Sequence, residues 1–524
     1  MTDTVESQDD VFAYLGRPST YGGADVRRID THAAVVFLAG ERAYKVKRAV
    51  RFPFLDFSSL EKRRVACIAE IDANRPFAPA IYCRVVAITR EPSGALAIRG
   101  AGEPVEYAVE MRRFDETKTL DCLADRGAVD LALADSLARA VAAAHARAPV
   151  VAAAPWIDVL GAYVGQNDAA FRKYPALFPA AAIERLTAAS RAALSRIRPL
   201  LSARGTRGLV RRGHGDLHLG NIALIDGRPV PFDALEFDPL VASGDVLYDL
   251  AFLLMDLVER RLQPAANVVL NRYLAETARA EDIDALMTLP FLMSMRAAIR
   301  AKVTAARATV APQSDRAAIE TSARTYFELA AALIAPPPPT LVAIGGLSGT
   351  GKSVLARALA PELLPAPGAV VLRSDVERKA LFGVAETERL PAAAYTPDIT
   401  RRTYAALADK ARRATSAGHS AVVDAVFAAP TERAAIAAIA TQNNVAFRGL
   451  FLTTDLATRI ARIGRRAGDA SDADVKVAER QESYALGLID WSMVDASATS
   501  AQTLVRAKEV IRSSSWSASS RQPR

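Results

Sequence analysis

Between Arg211 and Leu257 the polar residues fall at offsets that suit phosphoryl transfer. His214-Gly215-Asp216 is followed five residues after the aspartate by Asn221, and an apolar hairpin then delivers Asp233: Ile222 to Leu224, a turn at Asp226-Gly227, and Val230 to Phe232. In such an arrangement Asp216 orients and deprotonates an attacking hydroxyl. Asn221 and Asp233 hold the magnesium ions that bridge nucleotide phosphates. Capping carboxylates in an ordinary turn would explain one or two of these residues, but not several polar types at fixed offsets.

A second centre lies downstream, where Leu341 to Ile344 reads as a short buried strand and is followed at once by GGLSGTGKS. Gly346 to Ser353 fits G-x-x-x-x-G-K-S without a mismatch. Glycines let the backbone close around a phosphate, so Gly346, Ser348, Gly349, Thr350 and Gly351 form a cradle, Lys352 reaches the β and γ phosphates, and Ser353 ligates magnesium. A helix from Val354 to Ala360 supplies the context this loop needs. The next strand, Ala369 to Leu372, runs into Arg373-Ser374-Asp375. Asp375 either accepts a proton from an acceptor hydroxyl or caps the helix that carries Arg378. A third strand, Ser420 to Asp424, ends on a carboxylate suited to magnesium-bound water and lacks the adjacent glutamate of motor ATPases. After a fourth strand, Val445 to Thr453, the helix Asp455 to Arg466 carries Arg459, Arg462, Arg465 and Arg466 into RRAGDASDAD. This reads as an arginine-bearing lid, with Arg466 the catalytic choice for neutralising the transferring phosphoryl; solvated helix charges are the alternative.

Other elements must position these groups. From Val26 the chain turns strand-rich: Val35 to Leu38 and Ala43 to Lys47 form a hairpin around Ala39-Gly40-Glu41-Arg42. Ser59 to Asn74 has the cap and apolar spacing of a helix, and Tyr107 to Met111 is an apolar strand leading to Arg112-Arg113-Phe114. Thr119 to Ala148 and Ala180 to Arg204 are Ala-, Leu- and Arg-rich with helical periodicity, and helices continue from Ala265 to Ile334. Pro336 to Pro339 cannot continue a helix and makes a stiff connector, so a domain boundary is expected there.

HGDLHLGN with the later GDVLYDLA resembles the aminoglycoside phosphotransferase group of kinase-like folds. VFLAGERAYKVKRAVRFPFLDFSSLEKRR, the motif order, the proline joint and the lid together resemble a bacterial family of fused proteins across roughly residues 26 to 512. The resemblance implies an α/β and α+β multidomain protein. Its N-terminal part is a bilobal kinase-like domain at 26–335, with a small lobe to about 114 and a large lobe beyond; a leader at 1–25 precedes it. A P-loop parallel sheet flanked by helices is expected at 340–512, and 513–524 reads as a disordered tail. The resemblance also implies that Lys45 neutralises the α and β phosphates, held by a helix glutamate: Glu70 is preferred and Glu61 is the alternative. Phe114's neighbourhood becomes the adenine hinge, and Asp245 supports the catalytic loop. Two features depart from the kinase pattern. No G-x-G-x-x-G precedes the hairpin, where Thr31-His32-Ala33 stands instead, and Glu236 occupies the segment after Asp233, where it is a candidate to touch metal or substrate.

A chain of 524 residues is too long for one core. Lys plus Arg exceed Asp plus Glu by 66 − 58 = 8. The excess suits polyanionic nucleotides, but no basic run alternates with aromatics, so nucleic acid is the less favoured acceptor. Cys67, Cys83 and Cys122 make neither a metal-ligand spacing nor a paired framework, as in a reducing cytosol. The N-terminus lacks an apolar signal core and no membrane-spanning run occurs, so a cytoplasmic protein is expected. The function these observations favour is ATP- and Mg2+-dependent phosphorylation of hydroxyls on small molecules at two nucleotide sites, with acceptor and oligomeric state left open. The alternative is an N-terminal nucleotide sensor controlling a C-terminal ATPase or 5'-hydroxyl polynucleotide kinase.

Overall fold

The protein is represented by a computed structural model that describes residues 7–52, 55–236, 240–465 and 468–513. The chain divides into two compact units, Met1–Gln166 with Leu194–Asp256 and Asn167–Ala193 with Leu257–Arg524.

In the first unit a six-stranded antiparallel sheet runs in the order Val26–Asp30, Ala34–Ala39, Arg42–Lys47, Glu103–Arg112, Tyr82–Arg90, Leu96–Ile98. Alternation along Arg42–Lys47 decides the chemistry of this lobe. Tyr44 and Val46 join Val35, Phe37, Val86 and Ile88 in a core closed by the helix Asp9–Leu15, so Lys45 and Lys47 point to the opposite face. On that face the helix Leu60–Asn74 packs Cys67 and Ile71 against Ile81, Tyr82 and Val109. The helix starts where Ser59 Oγ accepts a hydrogen bond from the Lys62 amide.

Two short antiparallel ladders frame the loop His214–Asn221: Val210–Arg212 with Ser243–Asp245, and Ile222–Ile225 with Arg228–Pro231. The second turns at Asp226-Gly227, both with positive φ (50° and 74°), as a two-residue hairpin loop demands. The helical stretch expected over Thr119 to Ala148 consists of two helices, Leu120–Asp125 and Leu131–Arg147. Gly127 takes a left-handed φ of 67°, and Asp130 starts a new helix by accepting from the Leu133 amide. A further helix, Ala153–Phe171, precedes Ala180–Thr206.

The second unit places a five-stranded parallel sheet in the order Val370–Arg373, Ala421–Asp424, Thr340–Gly345, Ala446–Thr453, Ser492–Asp495. Its core is Val342, Ile344, Leu355, Leu359, Val422, Leu450 and Leu452. The last strand escapes a sequence reading because it is a four-residue edge strand with Val494 its one buried apolar residue. This unit also contains the helices Gln263–Thr277, Ala280–Asp284, Leu289–Val310 and Gln313–Ile334, which precede the proline run. They are tied to the opposite edge of the sheet. Asn271 Nδ2 donates to Ala369 O (3.1 Å) and its Oδ1 accepts from the Val371 amide (2.7 Å), while Asn267 Nδ2 donates to Ala369 O (3.0 Å). Of the tail expected at 513–524, residues 514–524 lie outside the described residues.

Candidate functional site

At the first centre Lys45 is the meeting point. Its Nζ lies 2.8 Å from Glu70 Oε1 and 2.8 Å from Asp233 Oδ1. Of the two candidate glutamates, Glu70 reaches the lysine; Glu61 pairs with Arg64 on the surface. Burial opposes the Lys45 charge, but Asp233 and Glu70 outweigh it and hold its pKa well above the usual lysine value. Lys45 in turn brings the Asp233 carboxyl down to about 2, against the opposing effect of burial. Asp233 also carries a left-handed φ of 60°, uncommon for a non-glycine residue and in keeping with a constrained site. The bend is pinned: the Asp233 amide donates to Tyr82 Oη (3.0 Å), and Asn74 both accepts from the Ala234 amide (2.7 Å) and donates to its carbonyl (3.1 Å).

Asp216 and Asn221 meet in the loop before the hairpin. Asn221 Nδ2 donates to Asp216 O and to Asp216 Oδ2, each at 3.0 Å. Both amide hydrogens thus face the aspartate, and Asn221 Oδ1 carries no protein donor among the described residues. The oxygens of Asn221 and Asp233 are donors of the hard kind that suits Mg2+. Among the described residues no cluster of three or more His, Cys, Asp or Glu could bind a metal through protein alone.

The brace for this loop differs from the expectation. Asp249, not Asp245, accepts from the amides of His214 (2.7 Å) and Gly215 (2.9 Å), and His145 Nε2 lies 3.2 Å from the same carboxylate. Asp245 makes a buried bidentate pair with Arg204 at 2.6 and 2.9 Å. Asp245 ends the strand Ser243–Asp245 and packs against Arg204, whereas Asp249 belongs to the helix Val246–Glu259 and reaches the loop amides. His214 is buried with Nε2 2.9 Å from Phe232 O, and burial lowers its pKa. Glu236 lies 2.5 Å from Lys47 Nζ, a buried lysine that also binds Glu70 Oε2 at 2.6 Å. Lys47, Tyr82 and Asn74 are the site residues that sequence reasoning passed over. The alternation that puts Lys47 on the Lys45 face is the one signal that was available.

At the second centre the phosphate loop, Lys352, Ser353, Asp375 and Asp424 line one cleft of about 1150 Å3. Ser353 Oγ donates to Asp424 Oδ2 at 2.5 Å. Lys352 Nζ donates to Leu347 O at 3.1 Å, curled over its own loop. Gly349 is required by close approach as well as by its φ of 90°: a Cβ there would lie 2.7 Å from Arg459 O. The amides of Gly349 and Gly351 have no partner among the described residues, as a site for an anion requires. Other loop groups are already used. The Ser348 amide donates to Gln481 Oε1 (2.7 Å), that of Gly346 to Val426 O (3.1 Å) and that of Thr350 to Leu347 O (3.3 Å). Burial, and then the Asp424 charge, raise the Asp375 pKa, which makes it a better proton acceptor.

The lid arginines divide. Arg459 is fully buried, donating to Ser348 O (2.8 Å) and Gln481 Oε1 (3.2 Å), so it supports the loop from behind. Arg462 lines the cleft and donates to Ala496 O (2.8 Å) and Ala498 O (2.9 Å). Arg465 is exposed, and Arg466 lies outside the described residues. Within the lid, Asp469 pairs with Arg373 (2.8 Å), and Asp472 accepts from Tyr395 Oη (2.6 Å) and lies 3.2 Å from Lys379. Gln481, a residue type without a motif, is the element sequence reasoning missed here.

The fold and these two centres define a kinase-like phosphotransferase joined to a P-loop nucleotide-binding domain. Residues 82–283 match the family described as phosphotransferase enzyme family, and residues 341–486 match an AAA domain. An uncharacterized protein of Mycobacterium tuberculosis is 30% identical over 463 residues, spanning 87% of this chain and 88% of that protein. The chain belongs to the family of that mycobacterial protein, with a phosphotransferase domain followed by a P-loop kinase-like domain. Among solved structures, a choline/ethanolamine kinase family protein from Mesorhizobium loti is similar over 62% of this chain and 98% of that one, at 14% identity and a TM-score of 0.34. A gluconokinase from Sinorhizobium meliloti is similar over 34% of this chain and 98% of that one, at 18% identity and a TM-score of 0.25. No helix among the described residues is long and apolar enough to cross a membrane.

Proposed function

We propose that the protein is an ATP-dependent phosphotransferase with two nucleotide sites, each transferring a phosphoryl group to a hydroxyl of a small molecule. The observation that carries this reading is Lys45 bridging Glu70 and Asp233 beside the Asp216–Asn221 pair. One cation and one metal-type carboxylate are thereby poised around the space where a triphosphate would lie. In this reading Asn221 and Asp233 would hold Mg2+, Lys45 would face the phosphate oxygens, and Asp216 would take the proton of the acceptor hydroxyl. At the second site the amides of Gly349 and Gly351 and the Lys352 ammonium hold the donor phosphates. Ser353 and Asp424 hold magnesium or its water, and Asp375 receives the acceptor proton. The magnesium supplies charge neutralisation between the phosphates and polarises the transferred group.

The test is a metabolite-library screen on the full chain for ATP-dependent mass gains of one phosphate, repeated with Asp233→Ala and with Lys352→Ala. A product lost in only one of the two variants assigns its site. ATP hydrolysis without any acceptor product, surviving Asp375→Ala, would replace the second kinase site by a hydrolytic switch.

A further inference from the structure

Lys47 is a second lysine on the same face of the same strand as Lys45, and its surroundings differ. The Lys45 side chain keeps 17% of its surface exposed, whereas Lys47 keeps 3% and is closed off from solvent. Glu70, fully buried, divides its carboxylate between them: Oε1 to Lys45 at 2.8 Å and Oε2 to Lys47 at 2.6 Å. Lys47 then passes to Glu236 at 2.5 Å, so the charges alternate along Asp233, Lys45, Glu70, Lys47 and Glu236. The end of the lysine strand is held from behind. Gln8 Nε2 donates to Lys47 O (2.8 Å) and to Glu106 Oε2 (2.6 Å), Gln8 Oε1 accepts from the Ala49 amide (2.8 Å), and Glu106 pairs with Arg63 on the Glu70 helix (2.9 Å).

We propose that Lys47 is a positioning residue of the first site: it holds Glu70 in place when Lys45 turns to the nucleotide, and it keeps Glu236 away from the metal. The inference rests on the nucleotide reading of that site. A buried carboxylate that loses a cation is strongly destabilised. When phosphate oxygens draw the Lys45 ammonium, Glu70 keeps its charge compensated only if a second cation stays behind, and Lys47 is too enclosed to leave. Glu236 stands three residues past Asp233 and would otherwise offer a further oxygen ligand; its bond to Lys47 aims it at the sheet.

The experiment measures Mg-ATP affinity by calorimetry on the full chain carrying Lys352→Ala, so that the first site alone is read. Lys47→Met is expected to weaken binding roughly ten- to hundredfold, the effect of losing a charge-assisted hydrogen bond. Lys45→Met should do the same. The double variant should lose no more than the weaker-binding single one, because Lys47 acts through Lys45. Lys47→Arg, which keeps the charge, should restore most of the affinity, and Glu236→Gln should leave both affinity and its magnesium dependence unchanged. Additive losses in the double variant would mean that Lys47 acts on nucleotide binding independently of Lys45, and a magnesium-dependent loss in Glu236→Gln would make Glu236 a ligand; either overturns the proposal. Should Lys47→Met not fold, Lys47→Arg and Glu236→Gln decide it alone. If Lys45→Met leaves binding untouched, the nucleotide reading of this site fails and the proposal goes with it.

Discussion

Asn221 turns its amide hydrogens on Asp216, so an amide in place of that carboxylate keeps the same hydrogen bond and the same shape while losing the ability to take a proton. Asp216→Asn is therefore expected to leave Mg-ATP affinity at the first site nearly intact and to lower its phosphotransfer by about a hundred- to ten-thousandfold. The check is turnover of the first-site acceptor found by screening, in a Lys352→Ala background; unchanged turnover would show that Asp216 is not the base. A second residue makes a pH prediction. His419 is buried with Nε2 2.8 Å from Gly368 O, and burial brings its pKa down to about 4. The unfolded chain binds this proton at about 6.5, so the neutral histidine contributes its full stability above that value and loses it as pH falls toward 4. The loss amounts to about 3 kcal/mol at most. Urea unfolding at pH 7.5 and pH 4.5 should show a steeper acid loss in the native protein than in His419→Gln; equal slopes would remove His419 as the cause.

Among the elements, the helix Val246–Glu259 supports the loop His214–Asn221 through its aspartates. Asp249 receives two buried amides of the loop, and Asp256 receives a third, from Leu219, at 2.9 Å. Asp249→Ala leaves the His214 and Gly215 amides without a partner in a place water does not reach, at a cost of about 2 to 4 kcal/mol for the two. The expected result is a lower denaturant midpoint together with loss of first-site phosphotransfer and unchanged ATP binding at the second site. A midpoint within error of the native protein would mean that the loop finds its hydrogen bonds elsewhere. On the other face of the chemistry, Gln481 and Arg459 occupy all the polar groups of Ser348, including Ser348 Oγ at 3.0 Å from Gln481 Nε2. The helices Leu456–Gly464 and Val475–Gln481 thus help shape the phosphate loop.

For the molecule as a whole, each centre has its own lysine and its own metal-type ligands, so nucleotide binding is expected to be independent. Calorimetry should find two equivalents of Mg-ATP on the native chain and one on either Lys352→Ala or Asp233→Ala; loss of all binding in one single variant would sink independence. The second unit carries a further expectation. Its sheet ends at Val370–Arg373, and that edge is covered by Asn267 and Asn271 from the helix Gln263–Thr277. A piece cut at the prolines and carrying residues 340–513 loses this cover and exposes strand edge groups, so it should melt lower and aggregate more readily than a piece carrying 257–513. Equal melting temperatures would show that the asparagines add nothing to the sheet.

What the sequence determined by itself is what a single stretch of chain can build. His214 to Asn221, the hairpin to Asp233, and Gly346 to Ser353 were legible because loops that hold phosphate and metal take their groups from neighbouring residues, at offsets set by turns, strands and helix starts. The helix with Glu70 was legible through its cap and apolar spacing, while the pairing of Lys45 with Glu70 came from the resemblance. Which charges finally meet was decided by the tertiary structure. Lys47 and Glu236 are 189 residues apart, and Ser348 and Gln481 are 133 apart. No local spacing encodes such pairs, because they depend on sheet register and on how helices settle against it. The same holds for the exchange of roles between Asp245 and Asp249. Both are aspartates at the start of one helix, and only packing against Arg204 on one side and the His214 loop on the other gives them different work.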